Sequence, residues 1–218
     1  WTGESGVVTG LNLEGLYVSI NAARTDDKSN GTGIPVEILL REILESSRTL
    51  EEAIKRVREA KVIVPDLYLI ADGKTGESAV VERSPTRTEV RRARDVLLLT
   101  NHALTPAFAA DAENDRLRRY LTSGARYKRL SEVVRQHKGG FDPKKVAEVL
   151  RDKMGDKGAT LGLGNRNAID ALIATHSVVV DATGLTVWVS TGPHILGRYV
   201  GYDLRKELLG EPRESPPD

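Results

Sequence analysis

Cysteine is absent from this 218-residue chain. That excludes disulfides, thiolate-bound zinc, iron–sulfur clusters and a cysteine nucleophile within it. Aromatic residues are scarce, at 5%, and do not interleave with basic ones as a base-stacking platform requires. Neither sign of charge dominates. Thirty-two Lys and Arg against 31 Asp and Glu leave a net charge of +1, whereas proteins that hold nucleic acid by counterion release carry a basic excess. No run of about 18 apolar residues exists to cross a membrane. The first residues lack the basic-then-apolar layout of a signal peptide, which favours a cytoplasmic setting, although a matured chain would lack it too. Low Cys and Met with many Arg and Glu fits a thermophilic source.

What is present is the composition of a globular domain, 39% apolar and 29% charged. Val7 to Gly10 and Leu16 to Ile20 read as two strands of a hairpin, turning over Asn12 to Gly15. Pro35 opens a helix with the apolar stripe Val36, Leu39, Leu40, Ile43 and Leu44. Thr49 and Glu52 form a capping box for a second helix, striped by Leu50, Ala53, Ile54 and Val57. Leu67–Ala71, Ser78–Glu82, Thr86–Arg91 and Asp95–Leu99 read as an antiparallel meander. A helical region from Asp111 to His137 breaks near Ser123-Gly124, and another helix starts at Asp142-Pro143. Strands at Ser177–Val180 and Leu185–Val189 and a helix at Leu204–Leu209 follow. This order is a layered α+β pattern, not βαβ alternation. It predicts one domain over residues 1–210 and a frayed, Pro- and charge-rich tail over 211–218.

Several motifs fall short. Asp26, Asn30, Gly31 and Glu37 match part of a calcium loop, but Lys28 occupies a ligand position. Gly162 to Asn167 lacks the third glycine of a dinucleotide loop. His102, His137, His176 and His194 lack metal-binding spacing, and no Gly-x-Ser-x-Gly elbow is present. No metal or other cofactor is expected. The arginines Arg83, Arg87, Arg91, Arg92 and Arg94 read as the exposed face of a strand pair, without nucleic acid as partner.

One feature points toward chemistry. The aliphatic run Asp95–Leu99 stops on Thr100-Asn101-His102. A side-chain amide at a strand end can donate a hydrogen bond into a cleft, as an oxyanion site requires. It can equally start a polar loop.

Five segments, in order, carry a resemblance. They are Gly10-Leu11-Asn12-Leu13-Glu14-Gly15-Leu16 with Ile20-Asn21, the helix pair over Leu40 to Ala60, the strands from Ile70 to Thr100-Asn101-His102, Ser123-Gly124-Ala125-Arg126, and the closing pair around His176-Ser177-Val178 and Val187-Trp188-Val189. In these the chain resembles the N-terminal-nucleophile (Ntn) hydrolases of the penicillin acyltransferase and choloylglycine hydrolase type. The resemblance implies a four-layer αββα sandwich of antiparallel sheets. It implies acyl transfer or amide hydrolysis through an acyl-enzyme, on a small acyl-amide or acyl-thioester substrate. It makes Asn101 the oxyanion or nucleophile-positioning amide, Asn21 a second polar wall, and Arg126 an orienting or anion-holding cation. Asn21 and Arg126 also read as an ordinary strand end and a surface helix residue.

The family's nucleophile is the first residue of the mature chain, usually Cys exposed by autoproteolysis, with its own α-amine as base. That amine suits the task, with an unperturbed pKa of about 7.7–8.0. Here Trp1-Thr2 lies just before the hairpin, so the domain is expected to lack its nucleophile strand. The nucleophile would then lie upstream, on a separate chain, or be lost with catalysis. Thr2 after removal of Trp1 is a fourth reading, although Gly3-Glu4-Ser5-Gly6 reads as a turn. A non-catalytic binding or assembly module on the same fold is the alternative, and a homo-oligomer stays open.

Overall fold

The computed structural model describes residues 5–29, 31–93, 95–137, 139–193 and 195–210. Trp1-Thr2, Asn30, Arg94, His194 and the 211–218 tail lie outside the described residues. Two antiparallel sheets form the centre. The first is a five-stranded meander of β1 (Thr9–Leu11), β2 (Leu16–Ala22), β3 (Asp66–Asp72), β4 (Glu77–Arg83) and β5 (Thr88–Ala93), in that spatial order. The second is β6 (Val178–Asp181), β7 (Thr186–Ser190) and β8 (Tyr199–Asp203). The arrangement is the layered fold of antiparallel sheets and helices expected from the sequence.

Helices α1 (Val36–Ser46) and α2 (Leu50–Glu59) cover one face of the first sheet. Their stripes bury Leu39, Leu40, Ile43, Leu50, Ala53, Ile54 and Val57 against Leu16, Val18, Tyr68, Ile70, Ala79 and Val81. Thr49 caps α2 as predicted, accepting from the Glu52 amide at 3.3 Å. The return arm of the box lands one residue early: Glu52 accepts from the amide of Arg48 at 2.7 Å. The hairpin motif is a structural device. Asn12 Nδ2 donates to the carbonyls of Leu44 and Ser47, both at 3.0 Å, and its Oδ1 accepts from the amides of Glu14 and Leu16. One amide thereby ties the β1–β2 turn to the end of α1. Gly15 closes the turn at φ +75°, a conformation that L side chains resist.

The opposite face of the sheet carries a second core of Leu67, Val80, Ala103 and Phe108, with Leu69, Leu97 and Leu99 packed against it. Here the expected strand Asp95–Leu99 is corrected. The segment forms no strand. Leu97 and Leu99 turn toward the core, while the Leu98 carbonyl accepts from Arg91 Nη2 at 3.1 Å in place of a neighbouring strand. The aliphatic pattern recorded side-chain burial, not a backbone ladder.

The long helical region divides into α3 (Ala112–Arg119) and α4 (Thr122–Gln136), with the break at Tyr120-Leu121, ahead of the expected one. Gly124 marks the contact of the two helices: a Cβ there would lie 1.9 Å from the Arg118 carbonyl oxygen. Asp142 caps α5 (Pro143–Leu150), and α6 (Leu204–Leu209) follows β8. Strand β8 was not expected. Its Gly201 interrupts the apolar pattern because Trp188 lies across it, with the indole nitrogen 2.8 Å from where a Cβ would stand.

The arginine cluster is corrected in part: Arg92 is exposed, but Arg83, Arg87 and Arg91 are buried or half-buried. Arg83 is 8% exposed and donates to the carbonyls of Ser84, Arg87 and Ala60. Arg87 pairs with Asp27 at 2.9 Å and Asp111 at 2.5 Å, Arg91 with Glu82 at 3.2 Å, and Arg92 with Glu51 at 2.5 Å. Bound to carboxylates and carbonyls, Arg83, Arg87 and Arg91 are committed within the molecule, whereas the Arg92–Glu51 pair lies on the surface. No helix among the described residues is long and apolar enough to cross a membrane.

Candidate active site

The loop 95–105 and the first turn of α4 meet at the Ala22 end of β2. Asn101 is half-buried there. Its Nδ2 donates to the Ala22 carbonyl at 2.9 Å, and its Oδ1 accepts from Arg126 Nη2 at 2.7 Å. A guanidinium only donates, so this bond fixes which end of the amide is oxygen. The Asn101 Nδ2 therefore keeps one N–H beyond its bond to Ala22. Burial, and then the neighbouring Arg166, hold the Arg126 guanidinium below its ordinary pKa.

Beneath Asn101 lies a buried polar network. The Asn101 amide donates to Ser123 Oγ at 2.8 Å. Ser123 Oγ lies 2.8 Å from His102 Nδ1 and 3.0 Å from Thr100 Oγ1, and Thr100 Oγ1 donates to the Ser123 carbonyl at 3.2 Å. Thr100, His102 and Ser123 are all at most 5% exposed. Burial first, then the positive charge of Arg118, lowers the His102 pKa to about 4. The ring is thus neutral near pH 7; with the Ser123 hydroxyl donating to Thr100 Oγ1, the contact to Ser123 is met by an N–H on His102 Nδ1. Tyr127 meets the imidazole edge-on, with centroids 5.5 Å apart.

Two further groups hold the loop that carries Asn101. Glu82, fully buried, accepts from the amides of Leu104 and Thr105, both at 2.9 Å, from the Thr105 hydroxyl at 2.7 Å, and from Arg91. Asn114 on α3 bonds both backbone groups of Ala103, at 2.8 and 3.1 Å. Neither residue was among the sequence candidates. The signal for Glu82 was an acid on the core face of an otherwise apolar strand, where charge persists only when its oxygens are satisfied.

A cleft of about 440 Å³ opens beside these groups. Its walls include Ala22, Ala23, Arg24, Asn101, Leu117, Leu121, Thr122, Ser123, Arg126 and Arg166. The structure thus brings two of the three predicted site residues together. Asn21 precedes Ala22 on β2 and pairs with Leu67 across the sheet, on the face of the second core. It does not line this cleft and bonds neither Asn101 nor Arg126.

The other polar motifs resolve locally. Asp26 accepts from the Ala112 amide at the start of α3, and Asp27 binds Arg87, Ser84 and Thr86. Asn30 of the calcium-like pattern lies outside the described residues, as does His194. His137 stacks on Phe141 with centroids 4.5 Å apart, and His176 lies beside Thr175. No group of three or more potential metal ligands occurs among the described residues. The glycine-rich loop delivers Arg166 to the cleft.

A model of the family described as acyl-coenzyme A:6-aminopenicillanic acid acyl-transferase matches residues 2–168. Among solved structures, the crystal structure of a variant of conjugated bile acid hydrolase from Clostridium perfringens is similar in fold. The match has a TM-score of 0.56 and 16% identity, over 95% of this chain and 76% of that one. No curated protein matches this chain.

Proposed function

The chain belongs to the acyl-coenzyme A:6-aminopenicillanic acid acyl-transferase family, and from that premise we propose that it transfers or hydrolyses acyl groups at the amide or thioester carbonyl of a small molecule, through an acyl-enzyme. The observation that carries this reading is Asn101, locked between Ala22 and Arg126 with an N–H remaining at a cleft. A donor fixed before the substrate arrives needs no reorganisation as negative charge develops, and one such donor contributes roughly 2.7–4 kcal/mol to the transition state.

In this proposal the carbonyl oxygen points to Asn101 Nδ2. Arg126, bound to Oδ1, polarises the amide and makes it a stronger donor. Attack on the carbonyl carbon gives a tetrahedral oxyanion. The carbon–nitrogen or carbon–sulfur bond then breaks, and the nucleophile's proton goes to the leaving group. Water or an acceptor amine next attacks the acyl-enzyme. We assign the nucleophile to a residue outside 5–210. Ser123, the hydroxyl nearest a histidine, is 1% exposed and already bound to Asn101, His102 and Thr100.

The test uses protein expressed from its complete open reading frame against a panel of acyl-amides and acyl-thioesters. Release of amine or thiol, with a covalent acyl adduct by intact-mass spectrometry, is the expected result. Asn101→Ala should lower kcat about 10²–10³-fold. Absence of turnover and of adduct across the panel overturns the catalytic reading in favour of a binding module.

A further inference from the structure

Asn101 sits midway along a loop whose two ends are tied to the first sheet by one ion pair. Three residues before it, the Leu98 carbonyl accepts from Arg91 Nη2 at 3.1 Å. Three residues after it, the Leu104 amide donates to Glu82 Oε1 at 2.9 Å. The Thr105 amide and hydroxyl bind the other oxygen, Oε2, at 2.9 and 2.7 Å. Arg91 Nε and Glu82 Oε1 in turn stand 3.2 Å apart. The pair spans two neighbouring strands, Glu82 on β4 and Arg91 on β5. Between the two ties the loop has no strand or helix of its own, so they stand in for a backbone ladder. Glu82 is fully buried and lies across from Leu67 of the second core. A buried ion pair commonly yields no more stability than apolar residues of the same volume. What this one adds is direction. Four donors reach Glu82, from Leu104, Thr105 twice and Arg91, and only a carboxylate accepts them all. The fixed fork of Arg91 holds Glu82 through Nε and Leu98 through Nη2.

We propose that Glu82 and Arg91 are positioning residues: as one ion pair they fix both ends of the 98–105 loop and so set where the Asn101 amide stands in the cleft. This rests on the acyl-transfer reading above and extends it to two charged groups that do not line the cleft. The contacts of Asn101 with Ala22 and Arg126 aim its side chain, and the pair places the backbone that carries it. A preplaced donor works only at its place: a shift of about 1 Å caused far from the chemistry can lower a rate about 100-fold.

Two readouts on the full-length protein test this. Hydrogen–deuterium exchange with mass spectrometry follows the 98–105 segment, and steady-state kinetics follows the preferred amide. Arg91→Gln acts at the partner with some exposure, 20% against none for Glu82. Exchange over 98–105 should quicken about tenfold as the loop opens locally. The kcat should fall about tenfold while KM stays within about twofold. Arg91→Lys keeps a cation beside Glu82 and should recover at least about a third of the lost kcat. Glu82→Gln sets an NH₂ among donors and should match or exceed the effect of Arg91→Gln, which carries the test alone where Glu82→Gln does not fold. The control is Arg92→Gln, which removes the surface pair with Glu51 one residue along β5 and should leave both readouts unchanged. A lower urea midpoint for Arg91→Gln with kcat and 98–105 exchange unmoved overturns the positioning role and makes the pair structural only. An equal loss of kcat in Arg92→Gln overturns it too. The two proposals fail separately. Faster 98–105 exchange in a protein that turns over no amide removes the catalytic reading and leaves the clamp. Turnover that Arg91→Gln leaves unchanged removes the clamp and leaves catalysis.

Discussion

Arg126 Nη2 stands 2.7 Å from Asn101 Oδ1, and that bond decides which way the Asn101 amide faces. The two residues are 25 positions apart, on a loop and a helix. Without Arg126 only the Nδ2 bond to the Ala22 carbonyl holds the amide, and the donor on which the proposed site relies is less firmly placed. Arg126→Gln is therefore expected to lower kcat about 10–100-fold with a smaller effect on KM, the pattern of an interaction made mainly in the transition state. Steady-state kinetics on the preferred amide will check it. An equal fall in kcat for Lys128→Gln, an exposed neighbour on the same helix, would argue against it.

Ser123 accepts the Asn101 N–H and faces His102 Nδ1. Ser123→Ala removes both partners at once inside a buried network. The loss expected is about 1–3 kcal/mol, the cost of leaving buried polar groups unsatisfied. Urea denaturation followed by circular dichroism should show a lower midpoint with an unchanged slope.

His102 gives stability a pH dependence with a definite sign. Its pKa falls from 6.5 to about 4 on folding, chiefly through burial. Between those values the unfolded chain takes up a proton that the folded ring refuses. Its contribution is complete above about pH 6.5 and is lost as pH falls toward 4. His102→Gln should flatten that part of the stability profile, measured by denaturant titration at a series of pH values.

Asp66 acts in the opposite direction. It is 3% exposed, with Oδ2 lacking a partner, and burial, then Glu37, raises its pKa from 3.8 to about 7. Folding favours the protonated acid, so its stabilising contribution is complete below about 3.8 and lost as pH rises through about 7. Asp66→Asn should have a higher Tm than the unmutated protein at about pH 8, and that advantage should disappear at about pH 4. Differential scanning calorimetry at both pH values reads the difference.

Gly124→Ala places a methyl 1.9 Å from the Arg118 carbonyl oxygen. Backbone cannot yield as a flexible side chain does, so α3 and α4 must separate. A loss of about 3 kcal/mol is expected, at the upper end for overpacking. Because α4 carries both Ser123 and Arg126, turnover should fall with stability.

Much of the fold was legible because its signals are local. The stripes of α1 and α2, the Thr49 cap and the short turns of the meander each declare themselves within a few residues. The segment 95–99 misled because a chain that buries leucines without pairing its backbone has the composition of a strand. Strand β8 stayed hidden because Gly201 answers to Trp188, a residue on another strand. In the site, Asn101 and Arg126 stood out through motif order. Ser123 was legible only as part of that motif order, and Glu82 and Asn114 not at all, since their roles are hydrogen bonds to residues 11 to 23 positions away. Arg166 was invisible for the same reason, sitting in a loop that looked like a failed nucleotide motif.

That loop has an evolutionary consequence. Residues 159–177 contain neither helix nor strand, yet they place Arg166 on the cleft wall. Asn101, by contrast, is fastened to a strand, a helix and a buried network. One wall can therefore vary by substitution or insertion at small cost to stability, while the other cannot change without unfolding something. Descendants of this chain are free to vary the loop that carries Arg166 while inheriting Asn101 and its network unaltered.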